Sequence, residues 1–217
     1  MPETVEIDDA CRECLRTLVD DIHTTVLATV GDDGYPHTCA VDMMLADDEG
    51  IHFLTARGKD LYARLRNTGR VSITGIKGES TMTSKAVTLV GDVTEEPERL
   101  GDLLEANPYM YEIYPTEESR RALTAFRVHR GGVELFDLSV RPIRRVGFSY
   151  GRPSASDERM YSITESCDGC GACLNRCPQS CIDASEVPFR IVRESCLRCG
   201  NCLEACPKGA ISVGGVR

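Results

Sequence analysis

A chain of 217 residues has room for one sizeable hydrophobic core and one small module that leans on a metal staple. Its formal charge of −9 and its lack of basic runs argue against nucleic acid or an anionic membrane as a partner. Twelve cysteines, nine of them between residues 167 and 206, with no secretory leader and no apolar run near the ~18 residues of a membrane span, predict a cytoplasmic protein. In that compartment clustered thiols bind metal rather than pair as disulfides.

The first predicted element is a helix over residues 7–20, with Leu15 and Leu18 on one face. Strand-like runs follow at 24–30, 37–45, 51–56, 70–76 and 86–93, separated by turn signals such as Gly31-Asp-Asp-Gly34 and Asp47-Asp-Glu-Gly50. Two helices interrupt them. One covers about 59–67, with Leu61 and Leu65 four apart and Gly69 at its end; the other follows Thr94 and carries Leu100, Leu103 and Leu104. A last hairpin over 124–129 and 133–138 is expected to turn at Gly131-Gly132. Many short strands with few helices predict a small antiparallel barrel or sandwich. Gly, Pro, Ser and charge dominate 147–162, which reads as a linker. The predicted organisation is therefore a first domain over 1–150, a linker over 151–160 and a second domain over 161–217.

The second domain opens with a repeat. Glu165-Ser-Cys-Asp-Gly-Cys-Gly-Ala-Cys-Leu-Asn-Arg-Cys-Pro178 returns 29 residues later as Glu194-Ser-Cys-Leu-Arg-Cys-Gly-Asn-Cys-Leu-Glu-Ala-Cys-Pro207. Each copy is C-x₂-C-x₂-C-x₃-C-P, a spacing in which three thiolates wrap one cubane and the fourth reaches the other. It assigns Cys167, Cys170, Cys173 and Cys206 to one [4Fe–4S] cluster and Cys196, Cys199, Cys202 and Cys177 to a second. A pair of zinc knuckles is the competing metal reading. Gly171 and Gly200, having no Cβ, let each loop fold tightly beside its cluster. Residues 158–217 resemble a bacterial two-cluster ferredoxin, a small α+β fold. Cys181 falls where the second copy has Ala210, so it reads as a small buried residue and not a ligand. Cys11 and Cys14 form a CxxC with no second pair and read as ordinary thiols on the first helix.

In the first domain the informative stretch is Phe53-Leu-Thr-Ala-Arg-Gly-Lys-Asp-Leu61, a strand end, a basic turn and a helix start. Alone, it reads equally as a phosphate site on a helix N-terminus or as a solvated basic turn. The same stretch, with Ala28-Thr-Val-Gly-Asp-Asp-Gly-Tyr-Pro36, Val71-Ser-Ile-Thr-Gly75, Lys85-Ala-Val-Thr-Leu-Val-Gly91 and Glu134-Leu-Phe-Asp-Leu138, resembles the FMN-binding split-barrel family of pyridoxamine 5′-phosphate oxidase over about residues 8–150. The resemblance implies a six-stranded antiparallel split barrel with helices, and a homodimer that holds FMN between its subunits. It also implies that Thr55, Arg57 and Lys59 hold the FMN phosphate, that Ala40, Val41 and Asp42 lie along the isoalloxazine edge, and that Thr74 and Lys85 sit near the ring or ribityl chain. Lys85 stands where the true oxidases have arginine. Their basic C-terminal stretch, which grips the pyridoxal phosphate substrate, has no counterpart here, so vitamin B6 oxidation is not implied.

His23, His37, His52 and His129 are scattered and read as surface or strand packing, and Tyr109, Tyr111 and Tyr114 read as packing in a loop. No catalytic acid, base or nucleophile stands out. Two clusters and a flavin on one chain predict an oxidoreductase in which the clusters exchange electrons with FMN, and FMN reduces a small substrate. A non-catalytic electron-transfer flavoprotein is the alternative; a barrel holding haem or a deazaflavin is another. A low-potential donor or acceptor protein is the expected partner.

Overall fold

The structure is a computed structural model that describes residues 7–151 and 160–214. Residues 152–159 of the predicted linker lie outside the described residues. The chain divides into two compact units. Among described residues the first holds 7–77, 86–134 and 148–151, and the second holds 78–85, 135–147 and 160–214.

The chain opens with helix α1 (Asp9–Arg16), started by the Asp8 side chain, which accepts from the Cys11 N–H. The predicted helix continues as one widened π-type turn, Thr17–Ile22, ending at His23 with φ 63°. Seven strands then build one sheet: β1 (Thr24–Val30), β2 (Pro36–Asp47), β3 (Gly50–Ala56), β4 (Arg70–Lys77), β5 (Lys85–Glu95), β6 (Leu123–Asp137) and β7 (Arg144–Tyr150). Their order is β3-β2-β1-β4-β5-β6-β7, and β3 also pairs with β6, from Ile51↔Val128 to Ala56↔Leu123. That extra pairing closes six strands into an antiparallel barrel, with β7 added outside on β6. Closure leaves no free edge within the ring.

Alternation decides what faces inward. On β1, Thr25, Leu27 and Thr29 are buried while Val26 and Val30 point out; on β5, Val87, Leu89 and Val93 are buried and Val90 points out. Phe53 of β3 stacks on Phe126 of β6 at 5.8 Å, and Tyr62 meets the Phe126 ring edge-on at 6.0 Å. Strand β3 is buried on both faces, since helices α3 (Leu100–Ala106) and α4 (Met110–Ile113) cover its outer side through Leu103, Leu104 and Met110. Helix α2 (Asp60–Thr68) buries Leu61 and Leu65 and stops at Gly69, whose φ of 60° lets its N–H return to the Leu65 carbonyl. A short α5 (Glu117–Arg120) carries a capping box from Thr116 and leads into β6. Cys11 and Cys14 are buried on α1, and burial pushes the Cys11 thiol up to about 12.

Two expectations are corrected. Gly131-Gly132 makes no hairpin turn: residues 123–137 form one continuous strand. Here β5 and β6 approach too closely for side chains, since a Cβ on Gly131 would fall 2.7 Å from the Val90 carbonyl oxygen and one on Gly91 would fall 2.5 Å from that of Arg130. The composition shift after residue 147 is also not linker at its start, because β7 continues to Tyr150, whose hydroxyl donates to the Val128 carbonyl at 3.0 Å.

The second unit carries four short strands: β8 (Tyr161–Ile163) pairs with β11 (Ile211–Val213), and β9 (Ile182–Asp183) pairs with β10 (Arg190–Ile191). Helix α6 (Asn201–Ala205) follows the second cysteine loop. The small core is Phe189, Ile191 and Ile211 packed among cysteines, too little apolar area to hold so short a module without a staple.

A charged junction ties β2 to the helical side. Asp47 accepts from Arg99 at 2.7 Å and from the Glu49 N–H at 2.9 Å, and lies 3.1 Å from His52 Nε2, a fully buried ring. Burial pushes the Asp47 carboxyl up, but His52, the Glu49 N–H and Arg99 outweigh it and hold it at about 2. The folded value lies below the unfolded value of about 3.9, so the stabilisation is present above about pH 4 and is lost as pH falls through about 2. Asp47→Asn should therefore cost about 2 kcal/mol at neutral pH in urea unfolding followed by circular dichroism, and the gap to wild type should shrink near pH 3. A gap of the same size at both pH values would show that the junction is not held by charge.

Candidate functional site

Strands β2 and β3, the start of α2 and the α4 segment enclose a cavity of about 280 Å³ in the first unit. One end is set for an anion. Thr55, on the last turn of β3, is 4% exposed, and its hydroxyl has no hydrogen-bond partner among the described residues. Lys59 lines the same end and is the N-cap residue of α2, whose first-turn N–H groups lie there. The middle is apolar, with Val41, Met44, Leu54, Leu61 and Leu123. The other end is a polar node. Asp42 accepts from Thr24 at 2.6 Å and from the Tyr109 hydroxyl at 2.8 Å, and His23 Nε2 lies 3.2 Å from that same hydroxyl. Burial first, then the bond to Asp42, pushes the Tyr109 phenol up, so it remains a proton donor at neutral pH. Burial likewise raises the Cys39 thiol on the cavity wall, against the pull of Arg64 and Lys59.

Of the eight residues predicted to contact FMN, the cavity brings together Ala40, Val41, Asp42, Thr55 and Lys59. The other three stand apart from it. Arg57 donates to the Arg121 carbonyl at 2.8 Å and lies 3.9 Å from Glu95, a carboxylate also held by Arg66 at 2.7 Å. Thr74 is exposed on β4, 3.4 Å from the Thr88 hydroxyl. Lys85 starts β5 in the second unit and lies 3.6 Å from Asp137. Sequence reasoning missed Thr24, Met110, Ile113 and Tyr114 as lining residues and His23 and Tyr109 behind Asp42. The four-residue helix α4 is too short to show a period, and only the tyrosine-rich run 109–114 marked it.

Thr74 also belongs to an outer face that carries several exposed apolar side chains. Val26 pairs with Ala40 on one side and Thr74 on the other, and Val26, Val30, Ile76 and Val90 are 46–66% exposed.

In the second unit the cysteines surround two cavities. Cys167, Cys170, Cys173 and Cys206 line one, and Cys177, Cys196, Cys199 and Cys202, with Cys181, line the other. Gly171 and Gly200 adopt φ of 75° and 82°, the left-handed turns that wrap each loop. Main-chain N–H groups aim at sulfur: Cys181 at Cys177 Sγ and Ala210 at Cys206 Sγ, both at 3.3 Å, and Arg198 at Cys196 Sγ at 3.4 Å. Donors of this kind stabilise iron-bound thiolates. No three candidate ligands among the described residues converge closely enough for a single ion. A cubane takes three thiolates from one loop and the fourth from the other copy, and each cavity is lined by such a set.

A family model described as Pyridoxamine 5′-phosphate oxidase matches residues 7–135. The chain belongs to this family. A second model, described as a 4Fe-4S dicluster domain, matches residues 159–207. The molecule thus joins a pyridoxamine 5′-phosphate oxidase barrel to a ferredoxin-like domain with [4Fe–4S] clusters. Among solved structures it is similar to a nimC/nimA family protein from Clostridium acetobutylicum, with 16% identity, 63% of this chain and 87% of that chain covered, and a TM-score of 0.51. It is also similar to a heme binding protein from Mycobacterium smegmatis, with 17% identity, 66% and 59% covered, and a TM-score of 0.52. These likenesses are of fold. No match was found among curated proteins.

Protein purified without oxygen should carry about eight iron and eight acid-labile sulfide per chain, and Cys206→Ala should reduce both to about four. Zinc in place of iron would contradict the cluster assignment.

Proposed function

We propose that this protein is an FMN-dependent oxidoreductase in which two [4Fe–4S] clusters exchange electrons with FMN held in the barrel cavity, and that the flavin site acts on a small substrate. The observation that carries this reading is the Thr55 hydroxyl, buried without a partner beside Lys59 and the α2 N-terminus. A buried donor of that kind asks for an acceptor, and a phosphate supplies it. Thr55 and Lys59 would hold the phosphate, the apolar middle would pack on the ring system, and Asp42 would accept from a ring N–H. Bound FMN trades single electrons with clusters and electron pairs with a substrate. Arg57, Thr74 and Lys85 are proposed to complete the site. Thr74 shares its outer face with Ala40, which lines the cavity, so a second copy docked on that face would bring groups to both. This supports a homodimer with one flavin site at each end of an isologous interface.

Among the described residues no helix is long and apolar enough to cross a membrane. Thiolates that hold iron must stay reduced, which supports a cytoplasmic location and a low-potential protein as electron partner. The competing reading is haem, named for the structurally similar Mycobacterium smegmatis protein. The described cavity lining includes Cys39 and Tyr114, residue types that also ligate haem iron, so the visible spectrum is what separates the two readings.

Lys59→Ala should weaken FMN binding by one to two orders of magnitude, about 1.5–3 kcal/mol for a charge-assisted phosphate contact, with the iron content and the dimeric mass in light scattering unchanged. Unaltered FMN affinity in Lys59→Ala, or a Soret band in place of flavin bands in the wild-type spectrum, would overturn the reading.

A further inference from the structure

The two cluster cavities are not equivalent. Each has its four expected thiols, but the one lined by Cys177, Cys196, Cys199 and Cys202 holds a fifth, Cys181. Cys181 Sγ lies 3.3 Å from Cys177 Sγ, and Cys181 is 5% exposed, directed into the module and not to solvent. The repeat makes the comparison internal. In the other cavity the residue matching Cys181 is Ala210, and its N–H donates to Cys206 Sγ at 3.3 Å, as the Cys181 N–H donates to Cys177 Sγ at 3.3 Å. The main chain around the two fourth ligands is therefore the same, and the sulfur on the fourth residue after the ligand is the difference. Packing alone is satisfied at this position by the methyl group of Ala210, which is 1% exposed.

We propose that Cys181 is a reserve ligand of the second cluster, able to take the iron held by Cys177. Two sulfurs 3.3 Å apart reach the same corner of a cubane, so exchange needs a side-chain rotation and no movement of the loop. The step is a ligand substitution. Cys181 gives up its thiol proton and forms one Fe–S bond, while Cys177 releases its Fe–S bond and takes up a proton. No electron is transferred. The second cluster thus keeps its iron when its fourth ligand is lost, whereas the first cluster has no substitute for Cys206. This rests on the dicluster assignment and not on the flavin.

The test is iron and sulfide content with spin quantification of the reduced clusters, on full-length protein purified anaerobically. Cys177→Ala should retain about eight iron, Cys177→Ala/Cys181→Ala about four, and Cys181→Ala alone about eight. In the first cavity, Cys206→Ala should fall to about four, and Cys206→Ala/Ala210→Cys should recover toward eight. The last pair keeps the proposal testable should Cys177→Ala fail to fold. Equal iron in Cys177→Ala and its double variant, or no recovery on adding Ala210→Cys, would overturn it. Eight iron in the wild type with that result would leave the dicluster assignment standing and remove only the reserve-ligand role.

Discussion

Pairing of β3 with β6 turns a seven-stranded sheet into a barrel, and most of the first unit follows from it. It sets Phe53 on Phe126, joins the first strand of the sheet order to the sixth, and leaves β3 buried on both faces under α3 and α4. A strand so enclosed has to satisfy its polar side chains internally. His52 reaches Asp47 at 3.1 Å through Nε2, and on the neighbouring strand Thr124, opposite Thr55 in the β3–β6 ladder, donates to Glu95 at 2.8 Å. Thr55 has no such partner among the described residues, and the chain then leaves the strand through Arg57 and Lys59 into α2. The barrel closure and the anion end of the cavity are thus one structural fact, because the strand that closes the ring ends at the site.

The second unit is organised on a different principle. Its strands are two or three residues long and its apolar core is small, so the cysteine loops are the architecture. Left-handed residues at Gly171 and Gly200 turn the loops, and main-chain N–H groups aim at sulfur, which leaves the thiolates as centres around which the peptide is wound. Duplication gave both halves the same winding. Cys181 stands where the other half has Ala210, which places an extra sulfur in one cavity without altering the main-chain bond to the fourth ligand.

Strand positions were legible where a strand buries one face, and that face writes a two-residue period into β1, β4 and β5. Helix α2 was legible from Leu61, Leu65 and Gly69. The Gly131-Gly132 turn misled, because glycine signals equally a sharp turn and a close strand crossing, and only the neighbouring strand decides. The grouping of cysteines was legible because ligand spacing is itself geometry. The flavin-side residues were legible only in part. Thr55 and Lys59 sit within one short motif, whereas Asp42, Tyr109 and His23 meet across 67 and 86 residues of sequence, a distance no local pattern encodes. Cys181 was read from its repeat partner as a small buried residue, and it is 5% exposed; the 3.3 Å approach of its sulfur to Cys177 Sγ is not visible in the repeat.

A flavin site in the barrel, as proposed, and a domain with [4Fe–4S] clusters on one polypeptide would let electrons move between them within the molecule. Tethering raises the effective concentration of one for the other independently of how much protein is present. The direct measurement is flash photoreduction of anaerobic, FMN-loaded, full-length protein, following the recovery of cluster absorbance against the bleaching of the flavin band over a range of protein concentrations. The account predicts matched first-order rates that do not change with concentration. Rates that rise in proportion to concentration, or clusters that stay reduced beside an oxidised flavin, would contradict it.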